Sequence, residues 1–462
     1  MSIFNSRLSY GEITSLLEKD DAKIHFVGIL GSGMYPLARL LLGRGYRVSG
    51  SDDAAQSDGY TDGYGIVITK PRAYVDASVI VYSLAVDEEN PEIAYAKSRG
   101  IPLVSRAQLL GAMMQKSGVR IAVSGSHGKS TTTAIIDHVL RFSGLSHTTV
   151  TGAQLSDGDA LYDVGGDVFL AEACEYKDSF LCLCPSHLII TSVELDHTDY
   201  FQNMGMIRAS FLTAAKKADT VLLNADDPGC EAIRQALVGC GGGRRVYTYG
   251  KREGADYRFS VCTCFCGITS FSVAYKERVL ELSTRLMGEF NLYNLTAATA
   301  MADIIGVGKE EIAGAIGSFT TIGRRLELIS TASGIPIYYD YAHHPTEIGA
   351  SVKALKERHG TLTVIFRPHT YSRTKGLWKN FISELGKADF TVLLDVYPAR
   401  EKEIEGINSM KLAEEIPNCV YSRVENAVSL ALSRGTGAIV LMGAGEVEQI
   451  RREFIDFGKN TG

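Results

Sequence analysis

No stretch of this 462-residue chain approaches the roughly 20 apolar residues that a membrane span requires; the longest candidates, 24–30 and 40–42, are short or interrupted. A basic excess is missing too. The 47 Lys and Arg face 53 Asp and Glu, a net charge of −6, which argues against a nucleic-acid surface. Met1-Ser2-Ile3-Phe4-Asn5-Ser6-Arg7 lacks the charged-then-apolar build of a secretory signal. The expectation is a cytoplasmic protein that uses neither membrane nor nucleic acid. Low-complexity tracts and internal repeats are absent, and 45% hydrophobic with 22% charged residues excludes a disordered or collagen-like chain.

The cysteines lack metal-binding spacing. There are nine, an odd count, with no C-x2-C knuckle. Without a secretion signal this predicts reduced, structural thiols. Cys262, Cys264 and Cys266 alternate with Thr263 and Phe265, which puts them on one face of a strand.

Apolar, β-branched runs do recur, at 24–30, 46–51, 65–69, 79–83, 120–124, 168–172, 188–193, 220–224, 336–341, 362–367, 390–396 and 438–442, with helical stretches such as 35–44 between them. Strand–helix alternation predicts parallel sheets wrapped by helices. Length predicts about three domains. Three strand–turn–helix starts, at Ile24, Arg120 and Pro336, divide the chain into 1–115, 116–321 and 322–462. The boundaries follow from the polar stretch Gln115-Lys116-Ser117-Gly118 and from Thr320-Thr321-Ile322-Gly323. Residues 257–284 alternate with period 2 and predict an antiparallel insertion in the middle domain, and Gly241-Gly242-Gly243 reads as a loop.

The strongest chemical signal is Gly125-Ser126-His127-Gly128-Lys129-Ser130-Thr131, between an apolar strand and a helical stretch at 133–142. Loop amides, a helix N-terminus and the Lys129 ammonium answer the dense charge of phosphates. The Ser130 hydroxyl is placed to ligate a Mg2+ between phosphates. The spacing G-x-x-G-K-S is shorter than the common phosphate loop. Glu172 ends one neighbouring strand and His197 follows another, so both can converge on the same ion as Ser130. Glu175 lies one short step beyond Glu172.

A second glycine turn, Gly28-Ile29-Leu30-Gly31-Ser32-Gly33-Met34, follows the first strand, and Asp52 closes the next. The spacing G-x-x-G-x-G departs from the strict dinucleotide fingerprint but suits a diphosphate-bearing nucleotide over a helix N-terminus. In the last third, Asp340-Tyr341-Ala342-His343-His344-Pro345-Thr346-Glu347 and Arg367-Pro368-His369-Thr370-Tyr371-Ser372-Arg373 follow successive strands. Imidazoles and guanidinium beyond strand ends predict an anionic ligand, with the Arg373 fork suited to a carboxylate.

In this order, and together with Gly288–Asn294, Arg324–Glu327, Val396–Ala399 and Gly443–Gly445, these motifs resemble the Mur ligases of peptidoglycan synthesis along nearly the whole chain. The resemblance implies a Rossmann-like UDP-binding domain, a central P-loop ATPase-type α/β domain and a C-terminal Rossmann-like α/β domain. Within the family it points to members that join L-alanine to the lactyl carboxylate of UDP-N-acetylmuramate through an acyl phosphate, using ATP and Mg2+. It implies that Gly31, Ser32, Gly33, Met34, Asp52 and Ser83 hold the UDP substrate. Gly125 to Thr131, Asn291, Asn294, Arg324 and Asp340 would hold ATP, with Ser130, Glu172 and His197 around the metal. Lys129 would neutralise the transferred phosphoryl group, while His343, His369 and Arg373 would receive L-alanine, either imidazole being eligible as the amine's base. A monomer or weak homodimer is expected.

The chain departs from the family pattern at Phe290, where His is common; at Thr370, where a basic residue is common; at Cys174, in a less acidic segment; and at Glu446, where Asn or Asp is common. Three alternatives stay open: a ligase recycling murein tripeptides, an NAD-dependent oxidoreductase built on the first glycine turn, and a nucleotide-dependent switch that uses the phosphate loop without chemistry on a small substrate.

Overall fold

Every residue of Val79–Tyr82, Phe390–Leu393 and Ala438–Gly443 is buried, the state of β-branched runs in parallel strands covered on both faces. The computed structural model describes residues 8–19, 21–87, 89–155, 157–197, 200–240, 243–320, 322–399, 401–443 and 447–461. Gly241 and Gly242 of the expected loop, Thr321 at an expected boundary, and Ala444, Gly445 and Glu446 lie outside them.

The strands form three sheets. The first runs Tyr60–Thr61, Val67–Thr69, Arg47–Ser51, Lys23–Val27, Val79–Tyr82, Leu103–Ser105, parallel except at its Tyr60–Thr61 edge. The middle sheet has ten strands. It is parallel from His147–Val150 through Val168–Glu172, Val119–Ser124, His187–Ile190, Thr220–Asn224 and Arg245–Gly250 to Tyr257–Phe265. Antiparallel strands close it on both sides: Leu161–Asp163 at one edge, Ile268–Tyr275 and Arg278–Thr284 at the other. The third runs Glu327–Ala332, Ile335–Asp340, Ala438–Gly443, Leu362–Arg367, Phe390–Leu393, Cys419–Tyr421, antiparallel only at its first pair. In each sheet the chain order reverses beside a central strand, and such reversals open a crevice at the carboxyl ends of the strands.

All twelve expected strands form, yet three stop early, at Val27, Ile190 and Leu393. Their apolar runs continue because Ile29, Val193 and Val396 stay buried in the loops that turn toward the crevices. The strands His147–Val150, Leu103–Ser105 and Cys419–Tyr421, with little apolar signal, escaped the reading. The period-2 segment forms antiparallel strands within the middle unit, as expected, and they extend its sheet. Cys262, Cys264 and Cys266 are exposed at the far end of its hairpin, where a bulge after Val261 interrupts alternation, so they are surface thiols and not core residues.

One continuous apolar core joins the first two units. Leu109, Leu110, Met113 and Met114 of the helix Arg106–Met114 pack with Phe180 and Phe211 beneath the middle sheet. A Cβ on Gly111 would fall 2.1 Å from the Cys182 carbonyl oxygen, so glycine is what permits this approach. Bidentate Arg39–Asp159 contacts at 2.6 and 2.8 Å add a second junction. The third unit has its own cores and meets the middle unit through polar side chains and through Met287 and Phe290, which pack against one of those cores.

Candidate functional site

The glycine turn forms where Val119–Ser124 ends. Gly125 has φ 134° and Gly128 φ 79°, the latter capping the helix Lys129–Phe142. The helix thus begins at Lys129, earlier than its apolar pattern indicates, leaving its first-turn amides at the loop. Segment 191–194 fixes the loop's shape: Ser126 N donates to Ser192 O at 2.9 Å, His127 N to Ser192 Oγ at 3.1 Å, and Ser126 Oγ accepts from Glu194 N at 2.8 Å. A Cβ on Gly125 would lie 2.0 Å from Thr191 Oγ1 and 2.9 Å from the Ser192 amide nitrogen. Gly125→Ala is therefore expected to lower the melting temperature by several degrees, through strain of about 1–3 kcal/mol. It should weaken nucleoside triphosphate binding more than about tenfold, as measured by titration calorimetry.

Around Lys129 sit the carboxylates. Its Nζ donates to the carbonyls of Gly125 and Ser126 and to Glu175, whose oxygens lie at 3.0 and 3.3 Å. Glu175 is fully buried, and a buried carboxylate needs such a partner. Burial opposes the lysine's charge, but Glu175, Cys174 and Glu172 hold its pKa above the usual value. Ser130 Oγ lies 3.1 Å from both oxygens of Glu172, which also accepts from Thr151 Oγ1 at 2.8 Å. His197 Nε2 lies 3.7 Å from Glu175. The structure therefore joins Ser130 and Glu172 directly and brings His197 to the same neighbourhood through Glu175. Hydroxyl and carboxylate oxygens are the hard donors that Mg2+ takes.

A cavity of about 200 Å³ lies on the other side of the loop, lined by His127, Gly128, Thr131, Phe290, Asn291, Asn294, Arg325 and Asp340 among others. Asn294 Nδ2 donates to Asn291 Oδ1 at 3.1 Å, and Asn291 Nδ2 to the Met287 carbonyl at 2.8 Å. Phe290 brings an aromatic ring where the resemblance led one to expect His. Burial raises the Asp340 pKa to about 6. Arg324 does not line this cavity. Its φ of 64° and that of Leu326, 46°, turn Arg325 inward, while the Arg324 guanidinium lies 5.9 Å from the Tyr339 ring centre.

The first crevice encloses about 990 Å³. Gly31, Ser32, Gly33, Met34, Asp52 and Ser83 all line it, and it continues to Thr151, Glu172 and Cys174. Asp52 Oδ2 accepts from the Leu30 amide at 2.9 Å, so it also shapes the glycine turn. Arg106, which sequence reading passed over, places its Nη1 3.0 Å from where a Gly33 Cβ would stand. Its only signal was a basic residue directly after a strand.

A third cavity, about 500 Å³, is lined by Asp196, His197, His369, Arg373, Tyr397 and Glu401 among others. Arg373 Nη2 lies 3.1 and 3.4 Å from the Asp196 oxygens, and its Nη1 donates to His369 Nδ1 at 3.1 Å. Burial would raise the Asp196 pKa, but Arg373 and His197 hold it far below the ordinary value. Because Arg373 occupies His369 Nδ1 as donor, neutral His369 carries its hydrogen on Nε2. His343 has the opposite tautomer. Its Nδ1 faces the Tyr341 carbonyl at 3.0 Å, so that nitrogen bears the hydrogen and Nε2 keeps the lone pair. Burial, aided by Arg373 and opposed by Glu347 at His343 and by Glu401 at His369, brings both imidazoles down to about 4.

Glu347, also unpredicted, enters from the helix Pro345–His359. Its Oε1 lies 3.2 Å from His127 Nδ1, and its Oε2 accepts from the His343 and His344 amides at 3.1 and 3.3 Å. Burial opposes charge on His127, but Glu194 and Glu347 raise its pKa to about 10. His127, Glu194 and His344 form the one His/Cys/Asp/Glu group among the described residues whose donor atoms lie within 4.8 Å of one another. It does not suit a metal: His344 Nδ1 accepts from Thr346 N, so Nε2 carries the hydrogen.

The comparisons accord with this geometry. The family descriptions "Mur ligase family, catalytic domain", "Mur ligase middle domain" and "Mur ligase, glutamate ligase domain" match residues 23–117, 123–302 and 324–445. Two relatives are each called UDP-N-acetylmuramate–L-alanine ligase. That of Syntrophus aciditrophicus is 33% identical, covering 95% of this chain and 94% of its own. That of Desulforamulus reducens is 36% identical, covering 95% and 98%. The crystal structure of the UDP-N-acetylmuramate-alanine ligase of Thermotoga maritima superposes with a TM-score of 0.78 at 23% identity, covering 96% of this chain and 100% of that one.

Proposed function

The chain belongs to the Mur ligase family, and from that premise we propose how its three cavities carry out one reaction. It is an ATP-dependent ligase that joins L-alanine to the lactyl carboxylate of UDP-N-acetylmuramate, a step of peptidoglycan precursor synthesis. The relatives' shared activity removes the oxidoreductase and tripeptide-recycling alternatives. The observation that carries the reading is convergence. A long crevice ending at Glu172, a compact cavity against Gly128, and a cavity at Arg373 all reach the cluster around Lys129.

A carboxylate resists attack by an amine, so it must first be activated. The crevice at Gly31 to Met34, Asp52, Ser83 and Arg106 holds the UDP substrate, with its carboxylate toward Glu172. ATP lies with its base near Asn291 and Asn294 and its phosphates on Gly125 to Thr131. Ser130 and Glu172 would hold Mg2+, with His197 beside them; when bound, the ion spreads the phosphate charge. The carboxylate oxygen attacks the γ-phosphorus and ADP leaves, giving an acyl phosphate, while Lys129 offsets the charge on the transferred group.

The amine of L-alanine then attacks the acyl carbon and the C–O bond to phosphate breaks. Arg373 receives the amino-acid carboxylate. The tautomers support His343, not His369, as proton acceptor: only His343 offers a lone pair at Nε2. Burial of the cluster keeps water from the acyl phosphate.

Labelling tests this order. With oxygen-18 in the lactyl carboxylate, the label is expected in the released phosphate; its complete absence would remove the acyl phosphate.

A further inference from the structure

One carboxylate stands between two parts of the site that the reaction uses at different moments. Glu347 Oε1 lies 3.2 Å from Nδ1 of His127, inside the phosphate loop. Glu347 Oε2 lies 3.6 Å from Nδ1 of His343 and accepts from that residue's amide. We propose that Glu347 is a positioning residue that ties amine deprotonation to the phosphate loop: it holds His127 with one oxygen and backs the His343 imidazole with the other. The proposal rests on the reading of His343 as proton acceptor and adds what governs that acceptor.

The Tyr341 carbonyl keeps the Nδ1 hydrogen of His343 at 3.0 Å, and Glu347, 3.6 Å from the same nitrogen, acts on the ring as a nearby anion. When His343 Nε2 takes a proton from the alanine ammonium, the ring becomes cationic in a buried place. The charges facing it are Glu347, Arg373 and Asp196. Arg373 and Asp196 pair with each other, which leaves Glu347 as the anion that stabilises the imidazolium. Glu347 in turn faces His127 and Arg325, the latter at 3.8 Å. Its capping bonds to the amides of His343 and His344 hold it in one orientation. Glu347 arrives on the third unit and His127 on the middle one. The backing of His343 is therefore aligned with the nucleotide loop only when the two units are docked, and Thr346 donating to Glu194 at 2.8 Å belongs to the same contact. Linking the two steps limits the time an acyl phosphate waits for its amine.

The balance is simple. The ammonium gives one proton to His343 Nε2, the free amine forms the C–N bond, the electron pair of the breaking C–O bond leaves with phosphate, and the second nitrogen-bound proton goes to that departing phosphate.

The test compares two nucleophiles on the full chain with ATP and UDP-N-acetylmuramate at mildly alkaline pH. L-alanine arrives mostly as ammonium and needs a base; hydroxylamine arrives unprotonated and does not. For Glu347→Gln, which keeps shape and loses charge, alanine-driven ADP release is expected to fall about 100-fold, and hydroxylamine-driven release by less than about tenfold. Glu347→Asp should recover most of the alanine-to-hydroxylamine ratio. Equal losses with both nucleophiles would overturn the proposal, since they would mean that Glu347 serves only the fold or the nucleotide. Failure of the wild-type chain to consume ATP with hydroxylamine would instead overturn the acyl-phosphate reading, and is seen before any variant is made.

Discussion

Lys129→Ala is expected to lower turnover by about 1,000-fold or more while UDP-substrate affinity changes by less than about threefold. The large term comes from position. Lys129 is the first residue of the helix behind Gly128, and its ammonium is fixed by the loop carbonyls and Glu175. The charge that would meet a transferred phosphoryl group is thus held in place beforehand. The small term comes from the lining of the first crevice, where Gly31 to Met34, Asp52 and Ser83 contribute and Lys129 does not. A second effect must be separated from the first. Removing the ammonium takes from buried Glu175 the cation it pairs with, and breaking a buried pair costs about 3–5 kcal/mol. The double variant Lys129→Ala with Glu175→Gln should recover the melting temperature but not the activity. Normal ADP release in either variant would remove Lys129 from the chemistry.

Arg373→Ala is expected to raise the Michaelis constant for L-alanine by about 100-fold or more, with the constant for ATP nearly unchanged. A charge-assisted bidentate contact supplies about 2–5 kcal/mol when one partner is truncated in a buried site. Arg373 is pre-ordered for this: Asp196 holds one edge of the guanidinium and His369 takes a hydrogen from Nη1. Loss of Arg373 also frees His369 from its tautomer, so a fall in kcat should accompany the rise in KM. A change confined to the ATP constant would put Arg373 in the wrong cavity.

What could be read from the sequence was what lies close along the chain. The strand, glycines, Lys129 and Ser130 of the phosphate loop are consecutive, and a strand end points Glu172 toward them. The relation of Glu347 to His127 spans 220 positions and leaves no local trace. Glu175 was one acid among several; its importance is its complete burial, a property of packing. Arg324 and Arg325 are chemically identical neighbours, and backbone angles alone decide which faces the nucleotide cavity. His343 and His369 were equivalent as imidazoles, and only their partners, a carbonyl for one and a guanidinium for the other, tell them apart. The cysteines of the hairpin show the reverse error: the bulge at Cys262 and the turn at Cys266 break their alternation, and all three are exposed.

The two seams of the molecule differ in kind. Leucine and methionine side chains fuse the first unit to the second, as in the interior of a single domain, whereas ionic and hydroxyl partners at Glu194, Asp196 and His127 face the third. Salt and denaturant act unequally on such seams. The first two units would survive as one particle after the third has come away, and a truncation that respects this chain would cut it once, not twice.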